Sequence, residues 1–322
     1  MGFTTPTLAG GSTVDLPDTL LGFILRASRW HQLALAVLST GVFLLTIAPI
    51  ELQRRIVDDT LYEHDFRPVL LLALAYGGVA ILEGLVKLLT NIYRGWVGES
   101  AVRLLREKVR LGLHDLPAAR HDSMADGIGL SMMVAESDDI GGFVGNSLSE
   151  PVLQGGILLS AFAYMLYIQP FMALASFAVF VPQLVLVPMI QGRINRRVSR
   201  RITMLRQVSI AVTSSPVSAG SEEQTRRFDS IFTLNVGVFV LKFSMNFLMN
   251  IFYHLGVTCA FGLGGWYVVH GEAGIGTVVA IISGLSKIND PWGDLVTWYR
   301  DLTVTQVKYR LIADALRAIP AA

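Results

Sequence analysis

The sequence predicts an all-α membrane protein with six transmembrane helices and two long cytoplasmic helical extensions. Three observations carry this. Hydrophobic residues make up 52% of the 322 residues and charged residues 16%, with a mean hydropathy of +0.52, whereas soluble domains carry about a quarter charged residues. Apolar runs long enough to cross about 30 Å of hydrocarbon recur along the chain. Between them, two long polar stretches keep helical spacing.

Residues 1–19 are rich in Gly, Thr and Pro and are expected to be poorly ordered. They lack a charged region followed by an apolar one, so no cleavable signal is expected. Leu20 to His31 reads as a short interfacial helix, with Arg26, Arg29 and Trp30 at headgroup level. Leu33 to Ile50 is the first span, without a charge, and Glu51 to Pro68 reads as a short polar connection. Val69 to Leu89 is the second span and contains Glu83 and Lys87.

Asn91 to Glu150 is the first polar excursion. In Arg94 to Leu113, Val97, Ala101, Leu104, Leu105, Val109 and Leu113 recur at helical spacing with charges between them. Pro117 and the segment Asp122–Gly129 interrupt the pattern, and Leu130 to Leu148 resumes it. A twenty-residue helical arm of this kind projects about 30 Å beyond the bilayer and can carry movement to the membrane.

Pro151 to Ile168 is the third span and, after a tight turn at Gln169–Pro170, Phe171 to Ile190 is the fourth. Gln191 to Lys242 is a second excursion of similar character. Phe243 to Val269 is the fifth span and Gly276 to about Trp298 the sixth, weakened by Lys287, Asp290 and Asp294. An amphipathic stretch follows, with a short tail at 317–322, leaving 20–316 as the membrane domain.

Charge asymmetry orients the chain. Twenty of the 26 cations lie on the side of the termini and excursions, three in the 51–68 connection, and three within or at the edge of spans. The positive-inside rule makes the former side cytoplasmic and the protein a multi-pass protein of the cell membrane, read as a bacterial inner membrane. A net charge of +1 gives no sign of a nucleic-acid partner, and the single cysteine, Cys259, excludes a disulfide framework or cysteine metal cluster.

Six spans, cytoplasmic termini, short outer loops and long excursions after the second and fourth spans resemble the transmembrane domain of an ABC exporter. Local sequence agrees. Ile50 to Thr60 (IELQRRIVDDT) looks like that family's first outer loop, and Leu116 to Phe143 is similar to its first intracellular loop, with Leu-Pro, a later Gly, and Asp followed by Ile. Pro291 fits the proline of the sixth helix, and Arg310 to Leu316 (RLIADAL) resembles the run leading out of it. The resemblance covers roughly Leu20 to Leu316.

The resemblance implies a permease that moves cargo by alternating access. Two six-helix units, from a second copy or a related chain, would pair around a central pathway. ATP-Mg would be held by a partner nucleotide-binding domain or ATPase subunit, with no cofactor on this chain. The sequence has no GxxxxGK[ST] loop, and the dipeptide Gly-Lys never occurs. No LSGGQ-like signature is present either, so the chain itself is not expected to be an enzyme. The stretch from Ser214 to Glu223 is more polar than the family's usual second loop.

Two groups of candidate site residues follow. Contacts to the ATPase would come from the excursion tips: Arg120, His121, Asp122, Ser123 and Met124 at the first, Ser214, Ser215 and Pro216 at the second. The competing reading is a polar loop at the water boundary; the length of both excursions favours coupling. Charged and polar groups inside spans are costly and mark pathways. Glu83 and Lys87 are spaced i, i+4; Lys287, Asp290 and Asp294 are spaced i, i+3, i+7; His254 shares a face with Asn246 and Asn250. The alternatives are a structural inter-helix ion-pair cluster for the sixth span and a hydrogen bond to a neighbouring helix for His254. The Arg193–Arg201 run reads as a face for lipid headgroups. Glycines Gly155–Gly156 and Gly262, Gly264 and Gly265 would let helices approach closely.

A non-transporting membrane scaffold or regulatory subunit with the same fold is the second function class. A secondary transporter fits less well, because the excursions repeat in parallel, not inverted, fashion.

Overall fold

The computed structural model describes residues 16–62, 66–114, 136–214 and 222–317. The helices are α1 (Leu20–Tyr62), α2 (Phe66–His114), α3 (136–146), α4 (Ser149–Ile168), α5 (Pro170–Ala178), α6 (Val181–Ser214), α7 (Glu222–Val269) and α8 (Ile275–Arg317). No strand occurs among the described residues.

The excursions are helical continuations of spans, as the periodicity predicts. The 49 residues of α2 and the 48 of α7 correspond to about 70 Å of helix, more than twice the hydrocarbon thickness. On the projecting part of α2, Arg110 holds the Glu107 carboxyl below its usual range through hydrogen bonds of 2.6 and 3.0 Å. Both groups are exposed, so water screens the pair and it adds little stability.

Among the described residues, five stretches are long and apolar enough to cross a membrane: Leu20–Thr60, Phe66–Leu111, Ser149–Ile168, Pro170–Leu205 and Thr225–Val269. The predicted sixth span lies in α8, which has the length but not the apolarity, because Lys287, Asp290 and Asp294 interrupt its apolar half.

Three boundaries differ from the sequence reading. The 51–68 connection is helix as far as Tyr62, where Arg54 and Arg55 clasp Glu51 one turn back and Arg54 reaches Asp58 one turn on. The fourth span is broken between α5 and α6. Pro182, at the second position of α6, has no N–H to donate. The chain passes the break through tight bonds from Phe180 N to Phe177 O (2.8 Å) and from Gln183 N to Phe180 O (2.9 Å). The segment 20–31 is the first part of α1, set off by a kink at Ser28 (φ −145°, ψ 25°) whose hydroxyl donates to Ile24 O. Its Leu20, Phe23 and Ile24 are buried in protein, in the same apolar cluster as Tyr309, Ile312 and Ala313 of α8.

Two compact units divide the chain, residues 1–164 with 290–322, and residues 165–289. The first has an apolar core formed by Leu20, Phe23 and Ile24 of α1, Val97, Ala101, Leu105 and Val109 of α2, Ile140, Phe143 and Val144 of α3, and Tyr309, Ile312 and Ala313 of α8. Every α2 member belongs to the apolar row read from the sequence. This core is built from the projecting half of α2, where water supplies a hydrophobic driving force that lipid does not, about 2 kcal/mol for each buried Leu or Ile. Tyr309 is fully buried and its hydroxyl donates to Pro17 O at 2.7 Å.

Within the same core α2 and α3 meet backbone to backbone. A Cβ at Gly145 would lie 2.4 Å from Arg94 O, and one at Gly141 would lie 2.8 Å from Gly98 O. Of the glycines singled out by sequence, Gly156 faces the Phe43 ring and Gly264 faces Met172 and Val278, whereas Gly155, Gly262 and Gly265 face open space.

In the second unit α6 and α7 pack along each other and α5 packs on α7. Gly256 lies against Phe180 at the α5–α6 break.

Candidate functional site

The projecting helices of the first unit enclose a cavity of about 850 Å³ between α2, α3, the start of α4 and α8. Its wall carries six carboxylates, Glu99, Asp138, Asp139, Glu150, Asp294 and Asp301, against two cations, Arg94 and Lys308. Phe143 and Trp298 form an aromatic floor with ring centroids 6.3 Å apart, and the Trp298 indole donates to Ser147 O at 3.2 Å.

A polar relay joins three helices at the rim. Arg94 of α2 donates to Glu150 of α4 at 2.5 Å, with the two side chains 11% and 19% exposed. Gln154, one turn further along α4, donates to Glu150 (2.8 Å) and to Asp294 of α8 (3.0 Å). The remaining guanidinium nitrogens of Arg94, Nε and Nη2, are buried and have no acceptor among the described residues. Loss of Arg94 would strand the Glu150 carboxylate without its cation. Toward the far end, Lys308 of α8 pairs with Asp139 of α3, and Arg106 of α2 pairs with Asp138 at 2.5 Å. Arg300 pairs with Asp301 at 2.7 Å, so four of the six carboxylates hold a cation, and Glu99 and Asp294 leave the wall with a modest net negative charge.

A second network fixes the kink of α1. Gln32, 2% exposed, donates to Val144 O at 2.8 Å and to Ser28 Oγ at 3.2 Å, and Ser147 Oγ donates to Gln32 Oε1 at 3.2 Å. The turn between α3 and α4 is thereby tied both to the kink and, through Trp298, to α8.

The structure brings three of the sequence-derived pathway residues together, Lys87 of α2 and Asp290 of α8 lying within electrostatic reach of Asp294. Asp294 lines the cavity. Glu83 accepts from Thr46 of α1 at 3.2 Å, and Lys87 is exposed on α2. Lys287 and Asp290 are exposed on α8. His254 is exposed on α7 in the second unit, where its carbonyl accepts from Thr258 one turn on. The coupling candidates Arg120, His121, Asp122, Ser123, Met124, Ser215 and Pro216 lie outside the described residues; Ser214 ends α6. Arg94, Glu150, Gln154 and Gln32 were missed. The only sequence trace of the first pair is that Arg94 and Glu150 stand near the two ends of the first excursion, 56 residues apart.

Compared with known proteins, the chain matches a family described as the ABC transporter transmembrane region over residues 31–214, more than half of its length. The match runs from the α1 kink to the end of α6. No curated protein matches the chain.

Proposed function

The chain belongs to the ABC transporter transmembrane region family, and on that premise we propose that it is the permease of an ATP-driven exporter. Cargo would pass by alternating access, with ATP hydrolysis supplied by a partner nucleotide-binding domain or subunit. The observation that carries this reading is the acidic cavity of about 850 Å³ walled by the projecting halves of α2, α3 and α8. It is a water-accessible vestibule, and two of its walls, α2 and α8, are helices that continue into the membrane.

The lever action rests on the backbone contact of α2 with α3. At Gly98 and Gly145 the two helices touch backbone to backbone, with no side chain to give way at those points. A push on the segment joining them, residues 115–135, would move both as one piece. The cation bias supports a cytoplasmic side for that segment, both termini and the vestibule, in a bacterial cell. Two copies, or two related chains, complete the pathway.

The test is a distance measurement on the complex purified from its own membranes. With Cys259 replaced by Ala, a spin label at Asn146→Cys reports the separation of the vestibules of two copies. The expected result is co-purifying ATPase activity and a distance that shortens when ATP is trapped with vanadate. A pair distance that ignores ATP in a preparation that hydrolyses it would overturn alternating access and leave the scaffold reading.

A further inference from the structure

We infer that α6 carries a binding site for anionic phospholipid headgroups, formed by Arg193, Arg196, Arg197 and Arg200 where the helix leaves the hydrocarbon. From Pro170 to Ile190 the chain carries no charged residue. Those 21 residues, passing through α5 and into α6, span about 31 Å, the thickness of the hydrocarbon layer. Arg193 follows three residues later. The stretch Arg193–Arg201 therefore occupies the next roughly 12 Å of helix, the depth of lipid phosphates.

The side of the helix matters as much as the depth. Val181, Val185 and Met189 form an exposed apolar row at i+4 spacing. The same row continues as Arg193, Arg197 and Arg201, with Arg196 and Arg200 beside it. At 100° per residue the five arginines fall within an arc of about 140°. The apolar row that faces lipid thus runs straight into the arginines, so headgroups of the same lipids meet them. The exposed Lys242 on α7 adds a cation to the hairpin.

Among the described residues nothing neutralises this ridge. All of α6 contains no carboxylate. Arg193, Arg196, Arg197 and Arg200 are exposed, and none has an ion pair among the described residues. Arg201 is positioned by a hydrogen bond to Asn235 of α7 at 3.2 Å, yet its Nε is buried with no acceptor. The guanidinium of Arg197 lies across Gly237 of α7, where a Cβ would come within 1.8 Å of Nη1. Gly237 is the notch that lets Arg197 lie flat along the hairpin. Guanidinium forks match phosphate oxygens two at a time, which favours phosphate over a diffuse ion cloud.

The experiment is native mass spectrometry of the full chain released from nanodiscs of equal phosphatidylcholine and phosphatidylglycerol. Each engaged arginine favours the anionic lipid by about fivefold, equivalent to about 1 kcal/mol. Wild-type protein is expected to retain phosphatidylglycerol over phosphatidylcholine, and the preference to fall as salt is raised. The variant R193Q/R196Q/R197Q/R200Q should retain both lipids alike, the matching four-Lys variant should keep a preference, and Gly237→Leu, which changes no charge, should lose about fivefold. Wild-type protein without a preference, a salt-independent preference, or a four-Gln variant that keeps it would each overturn the site. A four-Gln variant that loses self-association while its lipid preference is unchanged would show that a second copy, not lipid, covers the ridge. If the four-Gln variant does not fold, the salt series and Gly237→Leu still decide.

Discussion

Replacing Gly145 by Ala tests whether α2 and α3 move as one body. The added Cβ would sit 2.4 Å from Arg94 O, whereas ordinary contact begins near 3.4 Å. The obstacle is a helical backbone carbonyl of α2, so it cannot swing aside as a side chain would. The two helices must separate locally by roughly 1 Å, a gap that forfeits a quarter to a half of the dispersion attraction across it. Overpacking of this kind costs about 1–3 kcal/mol. Gly142, three residues earlier on the same helix, has nothing within 4 Å of its would-be Cβ. Gly142→Ala should be neutral or gain up to about 1 kcal/mol from helix propensity. The assay is thermal unfolding in nanodiscs followed by tryptophan fluorescence at one scan rate, with Trp96 and Trp298 packed against the affected core. Gly145→Ala should lower the apparent Tm by several degrees, on the order of 5 °C, while Gly142→Ala leaves it level or higher. Equal Tm values for the two variants would refute the backbone contact, and with it the rigid lever.

Four further outcomes follow from the fold and the cavity. In a Cys259→Ala background, single cysteines at 122 and 221 should label only from the cytoplasm and one at 64 only from outside; external labelling at 122 contradicts the orientation. Filling the vestibule with Asn146→Trp should reduce transport by the purified complex, counted per molecule of protein, by tenfold or more, about 1.4 kcal/mol in barrier terms; full transport at normal abundance would mean that cargo bypasses the cavity. Replacing Lys287, Asp290 and Asp294 together by Leu should leave abundance near normal, because all three are exposed on α8 and substitutions outside the core cost little, and should abolish transport; normal transport would remove the sixth span from the pathway. The isolated chain should show no saturable ATP binding at micromolar concentration, given the missing phosphate loop, and isothermal calorimetry that detects such binding would contradict this.

Class and family were readable because they depend on local features. A run of apolar residues long enough to span hydrocarbon is a property of composition alone, and the row Val97, Ala101, Leu105 and Val109 is set by neighbours one turn apart. The same local logic located the long helical excursions. It failed where a helix boundary depends on hydrogen bonding: the chain's helical course past Glu51, and the α5–α6 break at Pro182.

The cavity was beyond such reasoning. Arg94 meets Glu150 across 56 residues, Gln154 meets Asp294 across 140, and Trp298 meets Ser147 across 151. Periodicity assigns each of these residues to a side of its own helix but not to a partner on another. Asp294 was chosen as a charge inside a span and proved to be a wall of the vestibule, whereas Glu83, chosen on the same grounds, binds a threonine of α1. Partner choice came from helix–helix approach, and between α2 and α3 that approach is set by Gly98 and Gly145, where backbone meets backbone. A glycine reads the same in sequence whether it faces a backbone, as Gly145 does, or open space, as Gly142 does; only packing distinguishes the two.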